Sequence, residues 1–184
     1  MPNADQPMGF VPRRHIQGGT PRHQDGFKIA SGYATNIFRG DAVVLTAGFL
    51  AIATDASAAI LGIFSGCRYR DASGKTNFSP YWPASTVTLG AEDVEAFIYT
   101  DRGISYRVQT DTGTAYVDAT HKGAAFDIEL DHAGNTFTGQ SGMEIDLADV
   151  GTVQFRVIGL IDEPNNAAGV NAKIEVVINA PLVL

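Results

Sequence analysis

The stretch AVVLTAGFLAI, residues 42–52, contains two short apolar runs separated by a glycine-containing turn. Residues 42–45 form the first run, residues 49–52 form the second, and Thr46-Ala47-Gly48 joins them. Valine, isoleucine and phenylalanine are favoured in β-strands, and glycine is favoured in the tight turns of hairpins. The stretch therefore predicts a β-hairpin, the local unit of an antiparallel sheet.

Similar short apolar runs follow along the chain, with turn residues such as Ser73-Gly74 and Lys122-Gly123 between them. The runs are residues 60–64, 86–89, 96–99, 105–109, 115–117, 125–130, 153–161 and 174–178. Many short strands at this spacing are typical of an all-β fold. We expect a single β-barrel or sandwich of short antiparallel strands, and the pattern leaves the choice between the two open. Residues 91–97, with acidic side chains near their start, predict one short helix.

The first 26 residues differ from the rest of the chain. They contain half of the eight prolines, and their apolar residues follow neither the period of a strand nor that of a helix. Proline fixes φ and removes a hydrogen-bond donor, which favours an extended backbone. We therefore predict an extended N-terminal arm over residues 1–26 and a β-barrel or sandwich body over residues 27–184.

The predicted arm is basic, whereas the body is acidic and gives the whole chain a net charge of −7. A basic arm with a few apolar side chains can reach a partner or a neighbouring copy of the protein. The arm residues predicted to make these contacts are Phe10, Arg13, Arg14, Ile16 and Arg22.

The composition excludes several classes of protein. The single cysteine, Cys67, rules out an intrachain disulfide and therefore a disulfide-stapled scaffold. No apolar run approaches the length of a membrane span, and the polar N-terminus does not have the pattern of a signal peptide. The negative net charge argues against nucleic-acid binding over the whole surface. We therefore expect no membrane segment and no direct contact with nucleic acid.

Candidate catalytic and metal-binding residues are few. The four histidines lack the spacing that places two imidazoles on one zinc ion, and Cys67 has no histidine nearby in sequence. Asp127, Glu129 and Asp131 alternate along a predicted strand, so they share one face and could bind calcium or act as an acid–base pair. The alternative is the solvent-facing side of a half-buried strand. We expect no catalytic residue, no metal and no cofactor.

The segment FSPYWP, residues 78–83, carries the only tryptophan of the chain next to a tyrosine. Pro80 and Pro83 stiffen the backbone on either side of Tyr81 and Trp82. Rigid aromatic side chains lose little entropy on binding and are favoured at protein interfaces. We therefore predict that Tyr81 and Trp82 lie in an interface. Two alternatives remain, a stacking platform for carbohydrate and burial of Trp82 as a lid on the core.

The segment GIFSGCRYRDASGKTNFSPYWPA, residues 62–84, resembles a segment of the decoration or cement proteins on the outer surface of tailed-bacteriophage heads. Residues 29–33, which lead to Gly40-Asp41, and residues 155–160 near the end of the chain are similar to the same family. The resemblance covers most of residues 27–180, and the aromatic-proline segment is its most distinctive part.

The resemblance implies a β-rich structural protein that binds the outside of the virion capsid. Proteins of this family bind at threefold or quasi-threefold junctions of the major capsid protein, commonly as homotrimers. They cement neighbouring capsomers and stabilise the DNA-filled head, so the resemblance implies no enzymatic activity. A carbohydrate-binding β-module that uses Tyr81 and Trp82 is the alternative function, and a hydrolase that uses Asp127, Glu129 or Asp131 is a third.

Overall fold

A computed structural model describes residues 3–90 and 93–179. In this part of the chain strands account for almost all regular structure, and the helix α1 (Asp118–His121) is a single turn. The strands are β1 (Val11–His15), β2 (Gln24–Phe27), β3 (Ala42–Thr46), β4 (Phe49–Ile52), β5 (Gly62–Arg70), β6 (Thr76–Ser79), β7 (Val94–Tyr99), β8 (Ile104–Gln109), β9 (Ala125–Glu129), β10 (Glu144–Asp146), β11 (Phe155–Leu160) and β12 (Lys173–Ile178).

The predicted hairpin is confirmed as β3 and β4. The two strands are antiparallel, with Val43 opposite Ile52 and Thr46 opposite Phe49. The two residues of the turn, Ala47 and Gly48, both have positive φ, at 51° and 84°. Positive φ at both central positions is the geometry of a type I′ turn, whose twist matches that of the flanking strands.

The strands form two sheets in which all neighbouring strands are antiparallel. Sheet 1 has the order β1-β8-β12-β11-β9-β10. Sheet 2 has the order β2-β7-β5-β3-β4, and β6 pairs with the second half of the long strand β5. The predicted all-β class is confirmed. Since both sheets end in edge strands, the fold is a sandwich and not a closed barrel.

Sheet 2 is buried on both of its faces. Ala42 and Ile63 belong to the core that sheet 2 shares with sheet 1, whereas the next residues, Val43 and Phe64, belong to a second core. The residues that cover this second core from outside the sheet include Ile29, Ile37 and Trp82. Because successive residues of a strand point to opposite faces, burial of both faces explains the unbroken apolar runs in β3 and at the start of β5.

The N-terminal segment is extended, as predicted, and it also forms part of both sheets. β1 pairs with β8 at the edge of sheet 1, and β2 pairs with β7 at the edge of sheet 2. An edge strand tolerates Pro12 because it has no second neighbouring strand that would need the N–H that proline lacks. A bulge also interrupts the pairing between Pro12 and Arg14. The segment therefore straps the two sheets together.

Phe10, which the sequence predicted to contact a partner, lies instead in the core between the sheets. Its ring stacks on Phe155 with centroids 4.2 Å apart, and it meets Tyr106 edge-on at 6.4 Å. The preceding Gly9 has a φ of 66°, and a side chain there would collide with Ser141. The prediction for Phe10 is wrong because burial of an apolar ring in the protein's own core is favourable without any partner.

Residues 94–97 are not helical, contrary to the helix predicted for residues 91–97, of which 91 and 92 lie outside the described residues. They belong to β7, where Val94, Ala96 and Ile98 are buried and the residues between them are half-buried. This alternation matches the period of a strand, and pairing with β5 satisfies the backbone. Within the described residues, no helix is long and apolar enough to cross a membrane.

Candidate functional site

Trp82 is enclosed in the second core. Its side chain has no exposed area, and its indole meets the ring of Tyr69 edge-on with centroids 5.3 Å apart. The backbone is fixed as well, since Trp82 donates to the carbonyl of Ile37 at 2.8 Å and accepts from the Ile37 N–H at 3.1 Å. The predicted interface role of Trp82 is therefore wrong, because no part of its side chain is exposed to a partner. The structure instead gives it the alternative role of a lid on the core, because covering sheet 2 removes a large apolar area from water.

Tyr81 is half-buried and has one covered ring face. Its ring lies on the ring of Phe38 with centroids 5.4 Å apart and an angle of 19° between the planes. A pair of adjacent exposed rings, which sugar stacking needs, is not formed by Tyr81 and Trp82. The two aromatic residues thus have different roles, since Trp82 lies in the core and Tyr81 lies at its surface.

Two other phenylalanines are strongly exposed close to Tyr81. Phe78 on β6 is 75% exposed, and Phe137, in the loop between β9 and β10, is 96% exposed. The Phe137 loop lies against Pro80 and Tyr81, since a side chain at Gly139 would collide with the Pro80 ring and touch Tyr81. We call Phe78, Pro80, Tyr81 and Phe137 the aromatic patch. Large exposed apolar side chains on adjoining segments are typical of interaction surfaces in soluble proteins.

The loop that carries Phe137 is held in one conformation. Within it, Gly139 donates to the carbonyl of Asn135 at 2.7 Å, and the Asn135 side chain accepts from the N–H of Phe137 at 2.9 Å. Its ends are tied to the residues before β3, because Arg39 donates to the Gly139 carbonyl and accepts from Ser141. Phe137 is therefore displayed on a fixed turn, so binding through it loses little backbone entropy.

Arg13 and Arg14 form an ion pair with one buried carboxylate. Both arginines contact Glu175 on β12, with the Nε atom of Arg14 at 2.7 Å from Oε1, and the Ser105 hydroxyl donates to the same oxygen at 2.6 Å. Burial would raise the pKa of Glu175, but the hydrogen bonds from Arg14 and Ser105 and the two positive charges lower it below its ordinary value. These two predicted contact residues thus hold β1 in place. Ile16 and Arg22 remain exposed.

The three carboxylates predicted to share one face do not form a common site. Asp127 is fully buried, and it accepts hydrogen bonds from Thr152 and from the N–H of Gln154 at 2.9 Å. Glu129 is half-buried and Asp131 exposed. β9 ends at Glu129, so Asp131 lies outside the strand, and the segment after β10 folds over Asp127 and covers it. A solvent-facing role for Asp127 is therefore wrong, and its oxygens are already occupied.

Glu129 belongs to a different acidic group, which the sequence pattern did not indicate. Its carboxylate oxygens lie within 4.8 Å of those of Asp111 and Asp146, which come from other segments. Burial, together with the charges of Asp131, Asp146 and Asp111, raises the pKa of Glu129 to about 7. This group has the charge that attracts a cation, and it contains no histidine or cysteine.

Cys67 is buried beside the aromatic-proline segment. Its thiol lies 3.6 Å from the Tyr81 carbonyl oxygen, and burial raises its pKa to about 12. A thiol that stays protonated at neutral pH is a poor nucleophile and a poor metal ligand. Cys67 therefore acts as a small apolar residue of the second core.

Comparison of the chain with protein-family models, with curated proteins and with solved structures finds no match. The functional proposal therefore depends on the sandwich fold, on the aromatic patch and on the resemblance carried by residues 62–84.

Proposed function

We propose that this chain is a structural virion protein that binds the outside of a tailed-phage capsid and cements neighbouring capsomers of the major capsid protein. The aromatic patch is the observation that supports this proposal most. It presents two strongly exposed phenylalanine side chains, Phe78 and Phe137, on a β body. Aromatic rings held in place on a surface are the side chains that most often contribute binding energy at protein interfaces.

Binding to a capsid requires no reactive side chain. Asp127 is hydrogen-bonded within the fold and Cys67 is packed in the second core, so neither side chain is available for a reaction. A protein that binds the assembled shell but not its separated subunits stabilises the shell by mass action, without any reaction. In a homotrimer three linked patches would raise the avidity by about 10²–10⁴ over one patch.

The N-terminal segment contributes in a different way from the one expected. Phe10 serves the fold, whereas Arg13 and Arg14 pair with Glu175 and are still partly exposed. Contacts with the shell can therefore come from these two arginines as well as from Ile16 and Arg22. Ile16 and Arg22 lie in the connection between β1 and β2, which joins the edges of the two sheets. The carbohydrate-binding alternative loses its support because Trp82 is buried, and it is not proposed further.

The test is binding to undecorated heads assembled from the major capsid protein that is encoded with this chain. Co-sedimentation should show saturable binding of the wild-type chain. The variant Phe78→Ala/Phe137→Ala should bind at least about tenfold more weakly, because removal of each ring would take away an apolar contact with the capsid.

Val150→Ala is the matched control, because Val150 is also strongly exposed but belongs to the segment after β10. It should bind like wild type. Wild-type affinity in the double variant would contradict the role of the aromatic patch. Failure of the wild-type chain to bind any such head would contradict the proposed function itself.

A further inference from the structure

Three side chains from separate parts of the chain meet at one point outside the aromatic patch. Asp5 precedes β1, His132 follows β9, and Glu144 begins β10. Each offers one ligand atom, and these atoms all lie within 4.8 Å of one another. His132 Nε2 is 3.7 Å from Asp5 Oδ2, and His132 Nδ1 is 2.7 Å from Glu144 Oε2.

One oxygen of the Glu144 carboxylate has no hydrogen-bond partner among the described residues. The residue is 1% exposed, and among the described residues its second oxygen, Oε1, is buried without any hydrogen-bond partner. Buried carboxylate oxygens are nearly always satisfied, because the loss of hydration is unfavourable unless a donor or a cation replaces the water. Within the described chain, His132 is the only basic side chain in an ion pair with Glu144.

We propose that Asp5, His132 and Glu144 bind one divalent transition-metal ion, for which Zn²⁺ is the best fit. Glu144 Oε1 would gain the cation as its missing partner. One imidazole nitrogen and two carboxylate oxygens are ordinary zinc ligands, whereas Ca²⁺ and Mg²⁺ prefer sites built from oxygen alone.

The distances require only a small closure around the ion. Zinc bonds to nitrogen and oxygen are about 2.0–2.2 Å long, so two ligands of one tetrahedral ion lie about 3.3–3.6 Å apart. An imidazole binds one ion through one nitrogen. His132 Nε2 is 3.7 Å from Asp5 Oδ2, close to this range, whereas Nδ1 is hydrogen-bonded to Glu144 Oε2. An ion on Nε2 would therefore require His132 and Asp5 to move towards the Glu144 carboxylate, whose ligand atom lies within 4.8 Å of theirs. Both of these side chains are 41% exposed and have room to adjust, whereas Glu144 is fixed in the sheet.

The ion would join three segments that are distant in sequence. Asp5 would tie the start of the N-terminal segment, and His132 would tie the loop that carries Phe137, to β10 in sheet 1. Metal binding to the folded chain therefore stabilises the fold. This inference is independent of the proposed function, because it concerns the chain alone.

The experiment uses the full chain, stripped with EDTA and titrated with ZnCl₂ in a calorimeter. We expect one zinc ion per chain and a higher melting temperature with zinc. Asp5→Asn, His132→Gln and Glu144→Gln should each weaken zinc binding at least about tenfold. Asp5 and His132 are partly exposed, so these two variants test the site even if Glu144→Gln does not fold.

Two control variants separate this site from general attraction of cations. Glu129→Gln removes a carboxylate from the neighbouring acidic group, and His23→Gln removes an exposed histidine elsewhere. Both should bind zinc like wild type. The proposal is overturned if the wild-type chain binds no zinc, if Asp5→Asn and His132→Gln bind it with unchanged affinity, or if Glu129→Gln weakens binding as much as they do.

Discussion

Truncation of Trp82 to alanine removes the largest of the fully buried side chains in the described part of the molecule. The loss of its contacts and the cavity left behind should lower the free energy of unfolding by about 3–5 kcal/mol. Urea denaturation followed by far-UV circular dichroism measures this. Phe78→Ala is the control, and it should change stability by less than about 0.5 kcal/mol because its ring is mostly in solvent. Equal effects of the two substitutions would contradict the burial of Trp82.

Asp41 should make stability depend on pH. Burial raises its pKa to about 6, although hydrogen bonds from Ser141 and from the Phe38 N–H act in the opposite direction. The ordinary pKa of an aspartate is about 3.9, so the folded protein binds this proton more tightly than the unfolded chain does. The stabilising contribution is therefore complete below about pH 4 and is lost as the pH rises through about 6.

Asp41→Asn should therefore be more stable than wild type at pH 8. Its free energy of unfolding should also change less than that of wild type between pH 4.5 and pH 8. Asparagine keeps an acceptor for the Phe38 N–H without the buried charge. Urea denaturation at the two pH values measures the difference. Asp162→Asn, at an exposed position, is the control and should keep the wild-type pH dependence. An unchanged pH dependence in Asp41→Asn would show that another group is responsible.

Among the elements, strands with strong local patterns were predictable from sequence. The hairpin of β3 and β4 combines apolar runs with a turn that only a few residue types form, and β8, β9, β11 and β12 lie within or close to their predicted runs. β1 and β2 were not predictable, because proline and glycine weaken their patterns and their partners lie far along the chain. Strand formation there depends on tertiary pairing rather than on local propensity. The predicted strands at 86–89 and 115–117 are absent from the described structure.

The candidate site was only partly predictable for a related reason. The aromatic-proline segment was recognised by its chemistry, but the exposure of each ring depends on which distant segment covers it. Residues Ile29 and Ile37 share the second core with Trp82 and enclose it, whereas no described segment covers Phe78. Phe137 lies alone among turn residues, and its only sequence signal is the glycine–asparagine turn that precedes it.

At the scale of the whole molecule, removal of residues 1–26 should destroy cooperative unfolding. The deletion takes Phe10 out of the shared core, and it leaves β8 and β7 as new edge strands that are each unpaired on one side. Unpaired edges and a vacated core favour aggregation. Thermal unfolding followed by circular dichroism, together with size-exclusion chromatography, tests this. Phe10→Ala is the comparison, and it should melt at a lower temperature but still unfold cooperatively as a soluble protein. A deletion variant that melts like wild type would contradict the strapping role of the segment.

The strap across the two sheets also bears on synthesis. A ribosome releases β1 and β2 before β7 and β8, yet Val11 pairs with Arg107, and Gln24 pairs with Ile98. β1 and β2 must therefore wait, without these hydrogen-bonding partners, until β7 and β8 have been translated. Such distant pairings make folding slow and expose the nascent chain to misassociation. The prolines and charges of the first 26 residues are useful during this time, because they disfavour pairing of an unpaired strand with another chain.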